Sequence, residues 1–127
     1  MTKKERIQKA TTHIVKTVFP NTTNHYDTLF GGTALQWMDE VAFITATRYS
    51  HQRFVTVSLD RTDFNKPIPS GTLAELIGTV SKIGNTSIQI KVEIYIEQMY
   101  EDHRELAIEG LFTFVAIDEN KNPVTIV

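Results

Sequence analysis

From Ser87 to Glu97 the chain alternates almost without interruption. Ile88, Ile90, Val92, Ile94 and Ile96 share one face, and Gln89, Lys91, Glu93 and Glu97 share the other. A period of two with one apolar face describes a strand in an antiparallel sheet that is covered on one side. Leu106, Ile108, Phe112 and Phe114 repeat the pattern. Four strands are predicted in all over this half of the chain, at 54–66, 72–83, 86–98 and 105–117. Turn-forming residues separate them: Pro69-Ser70-Gly71, Gly84-Asn85, and the stretch from Tyr100 to His103. The Gly84-Asn85 pair predicts a two-residue hairpin turn, because both residues tolerate positive φ. An earlier strand is predicted over Thr12–Phe19 and is ended by Pro20 and Asn21. Residues 1–11 are polar and are expected to form a short flexible lead or the start of that strand.

One segment has a different period. Between Thr33 and Tyr49, steps of 100° place Ala34, Leu35, Trp37, Met38, Val41, Ala42, Ile44, Ala46 and Tyr49 on an arc of roughly 200°, twice an ordinary amphipathic stripe. Thr33, Gln36, Glu40 and Thr47 occupy the opposite strip, interrupted by Phe43. The helix is about 26 Å long, enough to run the length of a sheet. With an apolar arc this wide it must be wrapped, and it is the only long helix available to cover the apolar side of the strands.

That helix contains a carboxylate. Asp39 lies at the edge of the apolar arc, and its helical neighbours Leu35, Gln36, Ala42 and Phe43 supply no cation. Burying a charge is costly unless it is paired, hydrogen-bonded or used. Two readings follow from the residues. Asp39 is a general base or nucleophile, or it bonds a neighbouring backbone or subunit or simply reaches solvent. Gly31 and Gly32 precede the helix, where the first backbone N–H groups are unpaired and the dipole is positive. They would hold the oxygen of a polarised carbonyl, or serve only as a tight turn. Asn24, in the polar loop before them, has an amide that could orient water or a carbonyl, and is equally a common turn residue. His25 is either a base or an ordinary loop histidine.

Bulk properties narrow the field. The 127 residues, 41% of them hydrophobic, suit one globular domain spanning 1–127. Thirteen Lys and Arg against fifteen Asp and Glu leave a net charge of −2 without a basic tract, which argues against a nucleic-acid partner. Cysteine is absent, so disulfides, thiol chemistry and the usual zinc ligand are excluded. No apolar signal core or membrane-length run is present, and a cytoplasmic location with no membrane partner is expected. The four histidines show no paired metal-ligand spacing, and no metal is expected. No Gly-x-Ser-x-Gly elbow, dinucleotide motif or P-loop occurs.

The segment Asn24–Glu40, with Leu29-Phe30-Gly31-Gly32 followed by Leu35-Gln36-Trp37-Met38-Asp39-Glu40, resembles the YciA-type acyl-CoA hydrolase family of hot-dog thioesterases. The similarity continues through Arg53–Asp60, Phe64–Pro67, Gly71 and Lys82–Ser87 and so covers most of the chain. The resemblance implies an α+β hot-dog fold, one long central helix wrapped by a curved antiparallel sheet. It implies hydrolysis of acyl-CoA to a free acid and CoA, with no cofactor beyond the CoA of substrate and product. It assigns Asp39 as general base or nucleophile and Asn24 as the group that orients water or substrate, the two facing each other across a dimer interface. Backbone N–H groups near Gly31 and Gly32 would polarise the carbonyl. Arg53, Arg61, Lys66, Lys82, Thr86 and Ser87 are its candidates for CoA contacts. Family members often assemble as trimers of dimers.

Two features depart from the family pattern. Tyr26-Asp27 stands where relatives often carry small or glycine-containing residues, and the chain ends about ten residues after the last strand. Thr56 and Ser58, opposite Val55, Val57 and Leu59, either line the pocket or pair strands. Rival readings are a non-catalytic acyl-CoA-sensing module and a hydratase on the same fold. The first would ordinarily need a DNA-binding segment, and about eleven residues before the first strand are too few for a helix-turn-helix. The second would rely on a helix-borne His and acidic pair, and none is present.

Overall fold

Residues Gly31–Ser50 form the long helix, α2, and its position against the sheet organises the whole molecule. The computed structural model describes all 127 residues. Ahead of α2 come a first helix α1 (Lys3–Ala10), strand β1 (Thr12–Thr17) and a 3₁₀ turn (Pro20–Thr22). After it come β2 (Arg53–Phe64), β3 (Leu73–Ile83), β4 (Ser87–Glu97) and β5 (Arg104–Ile117). The strands form one five-stranded sheet in the order β1-β3-β4-β5-β2, with every neighbouring pair antiparallel. This is the hot-dog arrangement. The two strands flanking α2 in sequence thus lie at opposite edges of the sheet, and the helix crosses the face between them.

The alternating residues point where their period predicts, except Leu106: an irregularity in the β4–β5 register sets it opposite Tyr95, half-buried, and Ala107 is buried instead. Ile88, Ile90, Val92, Ile94 and Ile96 of β4 are buried beneath α2, as are Ile108, Phe112, Phe114 and Ala116 of β5. The helix contributes Ala34, Met38, Val41, Ala42, Ala46 and Tyr49 to the same core. Contact is closest at Gly78 of β3. A Cβ there would collide with Thr45 Oγ1 and lie 2.9 Å from Val41 Cγ1. The Thr45 hydroxyl is itself satisfied, donating to Val41 O at 2.8 Å.

The wrapping of α2 is one-sided. Leu35, Trp37 and Ile44 are only half-buried, and Phe43 is 46% exposed. Five strands cover the inner arc of the helix, and the flank beside β2 is left open. The polar lead expected over residues 1–11 is instead helix α1. Thr2 caps it by accepting from the Glu5 N–H, and the Glu5 side chain accepts from the Thr2 N–H. Only Ile7 and Ala10 carry its apolar contact, too few to reveal the helix by periodicity. Its other anchors are long-range. Arg6 donates to Tyr49 O at the end of α2, and Arg48 of α2 donates to Lys9 O at the end of α1.

The β3–β4 connection also differs from expectation. It closes with the Gly84 N–H donating to Ser87 O at 2.7 Å, and neither Gly84 nor Asn85 has positive φ. Three residues, 84–86, connect the strands, so a two-residue mirror-image turn is not required. On the outer face, Glu75 of β3 accepts from Arg104 Nε of β5 at 2.8 Å and meets His13 of β1 at 3.4 Å. The Arg104 guanidinium lies 3.6 Å over the Tyr95 ring of β4. Partial burial alone would raise the Glu75 pKa, but its bonds to Arg104 and His13 outweigh that and hold it below the ordinary carboxylate value.

Replacing Gly78 with Ala is expected to lower the free energy of unfolding by about 1–3 kcal/mol, since the helix must lift off the sheet. Urea denaturation measures this, and a loss below about 0.5 kcal/mol would show that α2 shifts without cost.

Candidate functional site

Asp39 sits midway along α2 on the flank that faces β2. Helix and strand run antiparallel beside each other, so that Gly31 lies near Phe64 and Asp39 near Thr56. His51, left-handed at φ 45°, ends the helix and reverses the chain into β2. This reversal gives Asp39 a partner that its helical neighbours cannot: Thr56 Oγ1 donates to Asp39 Oδ1 at 2.9 Å. The second carboxylate oxygen has no donor, and none of the ion pairs involves Asp39. Thr56 therefore joins the candidate site. The alternation of β2 was the available signal, since it placed Thr56 opposite Val55 and Val57.

Gly31 and Gly32 are the first two residues of α2. The N-cap, Phe30, makes no side-chain bond, and the first amide bonded backward is that of Ala34, to Phe30 O at 3.0 Å. The N–H groups of Gly31, Gly32 and Thr33 thus have no acceptor at the positive end of the dipole. Nothing lies within 4 Å of a Cβ built on Gly32. No bulk inside the chain demands glycine there, and its smallness leaves the amide open to a ligand. A cavity of about 300 Å³ beside Gly31 is lined by Thr28, Leu29, Phe64, Lys66 and Ile68.

Asn24 is held more firmly than the sequence implied. Its Oδ1 accepts from the N–H groups of Tyr26 (2.9 Å) and Thr28 (3.3 Å) and from the Thr28 hydroxyl (3.1 Å). The acceptor half of the amide shapes the loop, which leaves only the Nδ2 donors for a water or substrate. Asp27, in the same loop, has φ 58°. That left-handed position suits Gly, Asn or Asp, and Asp27 meets it. The His25 ring lies 3.9 Å from that of Tyr26, tilted by 39°, and makes no hydrogen bond.

The six candidate CoA contacts do not converge within one chain. Arg53, Lys82, Thr86 and Ser87 lie at one end of the sheet, where Arg53 pairs with Ile117 and Ser87 with Val115. Arg61 and Lys66 lie near the other end, where Asp63 pairs with Glu109, about 26 Å away along β5. Arg61 occupies a bulge of β2 at φ 49° and ion-pairs with Asp63 at 3.7 Å. Lys66 donates to Glu105 at 2.6 Å, and this bond, against partial burial, holds the Glu105 carboxyl below its ordinary pKa. No group of three His, Cys, Asp or Glu is placed to hold a metal ion. No helix is long and apolar enough to cross a membrane.

One distance decides how these parts can work. Gly31 and Asp39 are eight residues apart on one helix, about 12 Å along its axis. A single carbonyl cannot touch both within one chain. The outer edge of β2 pairs with no strand, and Val55 and Val57 on it are 40% and 53% exposed; a bulge after Thr56 breaks the expected alternation and turns Leu59 to the helix side, beside Met38 over Gly110.

One long helix packed along a five-stranded antiparallel sheet defines a hot-dog protein. The family model described as thioesterase superfamily matches residues 26–102, and the chain belongs to that family. The Bacillus subtilis protein YkhA, named an uncharacterized acyl-CoA thioester hydrolase, is 39% identical over 115 residues, 89% of this chain and 67% of YkhA. An acyl-CoA hydrolase from Staphylococcus aureus, solved with butyryl-CoA, CoA and CoA disulfide, superposes with a TM-score of 0.90. It is 35% identical, over 94% of this chain and 73% of that one. The same enzyme has been solved with alanine replacing a threonine, an aspartate and an asparagine. A hexameric broad-specificity acyl-CoA thioesterase aligns with a TM-score of 0.80 and 33% identity, over 90% of this chain and 79% of that one.

Asn24→Ala removes the acceptor of three loop bonds and is expected to cost about 1–3 kcal/mol of stability, whereas Asn24→Asp keeps that acceptor and stays near wild type. Thermal unfolding of the two variants compares them directly. Equal losses would show that the loop does not depend on Oδ1.

Proposed function

We propose that the protein hydrolyses acyl-CoA thioesters to a carboxylic acid and CoA, at sites each built from two chains. The carrying observation is the separation of Asp39 from the free amides of Gly31 and Gly32. Each is suited to one half of acyl transfer, and they are too far apart to act on one carbonyl unless a second chain supplies one of them. The bare edge of β2, with its exposed valines, is a surface on which a second copy can continue the sheet across a two-fold axis. Hexameric relatives support a further assembly of three such dimers.

In this reading the thioester carbonyl accepts hydrogen bonds from the Gly31 and Gly32 amides of one chain, which polarise it. Asp39 of the other chain removes a proton from water as the water oxygen attacks the carbonyl carbon. Alternatively, Asp39 attacks that carbon itself and water then cleaves the resulting anhydride. When the tetrahedral centre collapses, the C–S bond breaks and the thiolate leaves as CoA, taking up a proton. The route uses no metal or cofactor. Thr56 holds Oδ1, so the unbonded Oδ2 is the oxygen that reacts. Asn24 Nδ2 orients the water or the substrate. The three alanine-substituted residues of the Staphylococcus aureus enzyme are spaced by 15 and 17 positions, and the same intervals separate Asn24, Asp39 and Thr56. For CoA itself, Lys66 has the nearest position to the amides, lining the cavity beside Gly31.

Asp39→Ala is expected to lower acyl-CoA turnover by about 10³-fold or more, and Asn24→Asp by about 10²-fold, both with the fold retained. Mixing the two variants should restore about a quarter of wild-type activity, because half the dimers are mixed and each of those keeps one intact site. Free-thiol release measures this. The absence of any recovery in verified mixed dimers would rule out the shared site, and binding of CoA esters without turnover by the wild type would mark a sensing module.

A further inference from the structure

We propose that Phe43 sets the length of acyl chain this protein accepts, by closing the acyl end of the site; this rests on Asp39 being the reactive carboxylate. Phe43 lies one helical turn beyond Asp39 on the same flank of α2, about 6 Å along the axis. Its ring packs at 54° to that of Phe114, with centroids 6.3 Å apart, and Phe114 is fully buried. One side of the Phe43 ring is thereby anchored in the core, while the residue as a whole is 46% exposed. An aromatic ring with two side-chain torsions, fixed on one side and presented on the other, makes a rigid wall.

The flank has a direction. Toward the helix N-terminus it becomes polar and open, through exposed Gln36 to Gly32 and the unpaired amides. That end suits the thioester carbonyl and the polar body of CoA. Toward the C-terminus the first side chain past the carboxylate is Phe43, an apolar surface that matches an acyl chain. The other large side chains of this part of α2 are placed elsewhere. Met38 is fully buried against the sheet, facing Gly110. Trp37 lies on the side of β1, where the Lys16 ammonium sits 5.1 Å from its ring centre. Of the three, Phe43 alone borders the carboxylate on the open flank.

The test compares kcat/KM for CoA esters from butyryl to hexadecanoyl in wild type, Phe43→Leu, Phe43→Ala and Phe43→Trp, with the assembly of each checked by light scattering. Each methylene newly buried in the space opened by Ala is worth about fourfold. The decanoyl-to-butyryl ratio is therefore expected to rise about tenfold or more in Phe43→Ala, to rise less in Phe43→Leu, and to fall in Phe43→Trp. Variants that scale every ester by one common factor would overturn the assignment and leave Phe43 as an interface residue. A wild type without turnover on any ester would overturn the thioesterase reading instead.

Discussion

Everything in this molecule depends on how closely α2 can approach the sheet. At Gly78 the missing side chain lets Thr45 and Val41 settle against the β3 backbone, and the helix is held there along its inner arc. From that seat its remaining faces have no freedom. One flank must look toward β1 and the other toward β2. Asp39 falls on the second, at a height where Thr56 can reach it. A helix standing further off would lose both its core contacts and the alignment of the carboxylate.

The same placement separates the two groups on which the proposed chemistry rests. A helix offers free amides only at its first turn and can offer Asp39 only where the sheet edge supplies a hydroxyl donor. The rise of the helix separates the two by more than any small reacting group can span. In the proposed dimer the unpaired edge of β2 and the free helix N-terminus serve one geometrical requirement, which a symmetric second copy would meet twice. The relatives that form hexamers are consistent with a fold that leaves such surfaces bare.

Much of the fold was legible because its periods are clean. The isoleucine ladder of β4 and the wide apolar arc of α2 can each be satisfied in only one way, buried against each other. The ends of the elements shifted by at most two residues, within the ambiguity of helix and strand termini. Helix α1 was not legible. Two apolar residues carry it, and its anchors, Arg6 on Tyr49 O and Arg48 on Lys9 O, bridge about 40 positions in the chain. The β3–β4 turn misled for a different reason. Gly84 and Asn85 permit positive φ without requiring it, and a three-residue connection made it unnecessary.

For the site, the sequence by itself determined the reactive types and their order: an amide loop, a glycine pair, and a carboxylate eight residues into the helix. These are local facts, written in spacing and in the resemblance of Asn24–Glu40 to a known family. Only the tertiary structure decided what each group touches. It brought Thr56 to Asp39 across 17 positions, turned the Asn24 oxygen inward to its own loop, and scattered the charged CoA candidates to two ends of the sheet. It also left Phe43 standing on the open flank. Hydrogen-bond partners depend on which strand becomes the neighbour of α2. That choice is made by the burial of the entire sheet, and no local pattern contains it.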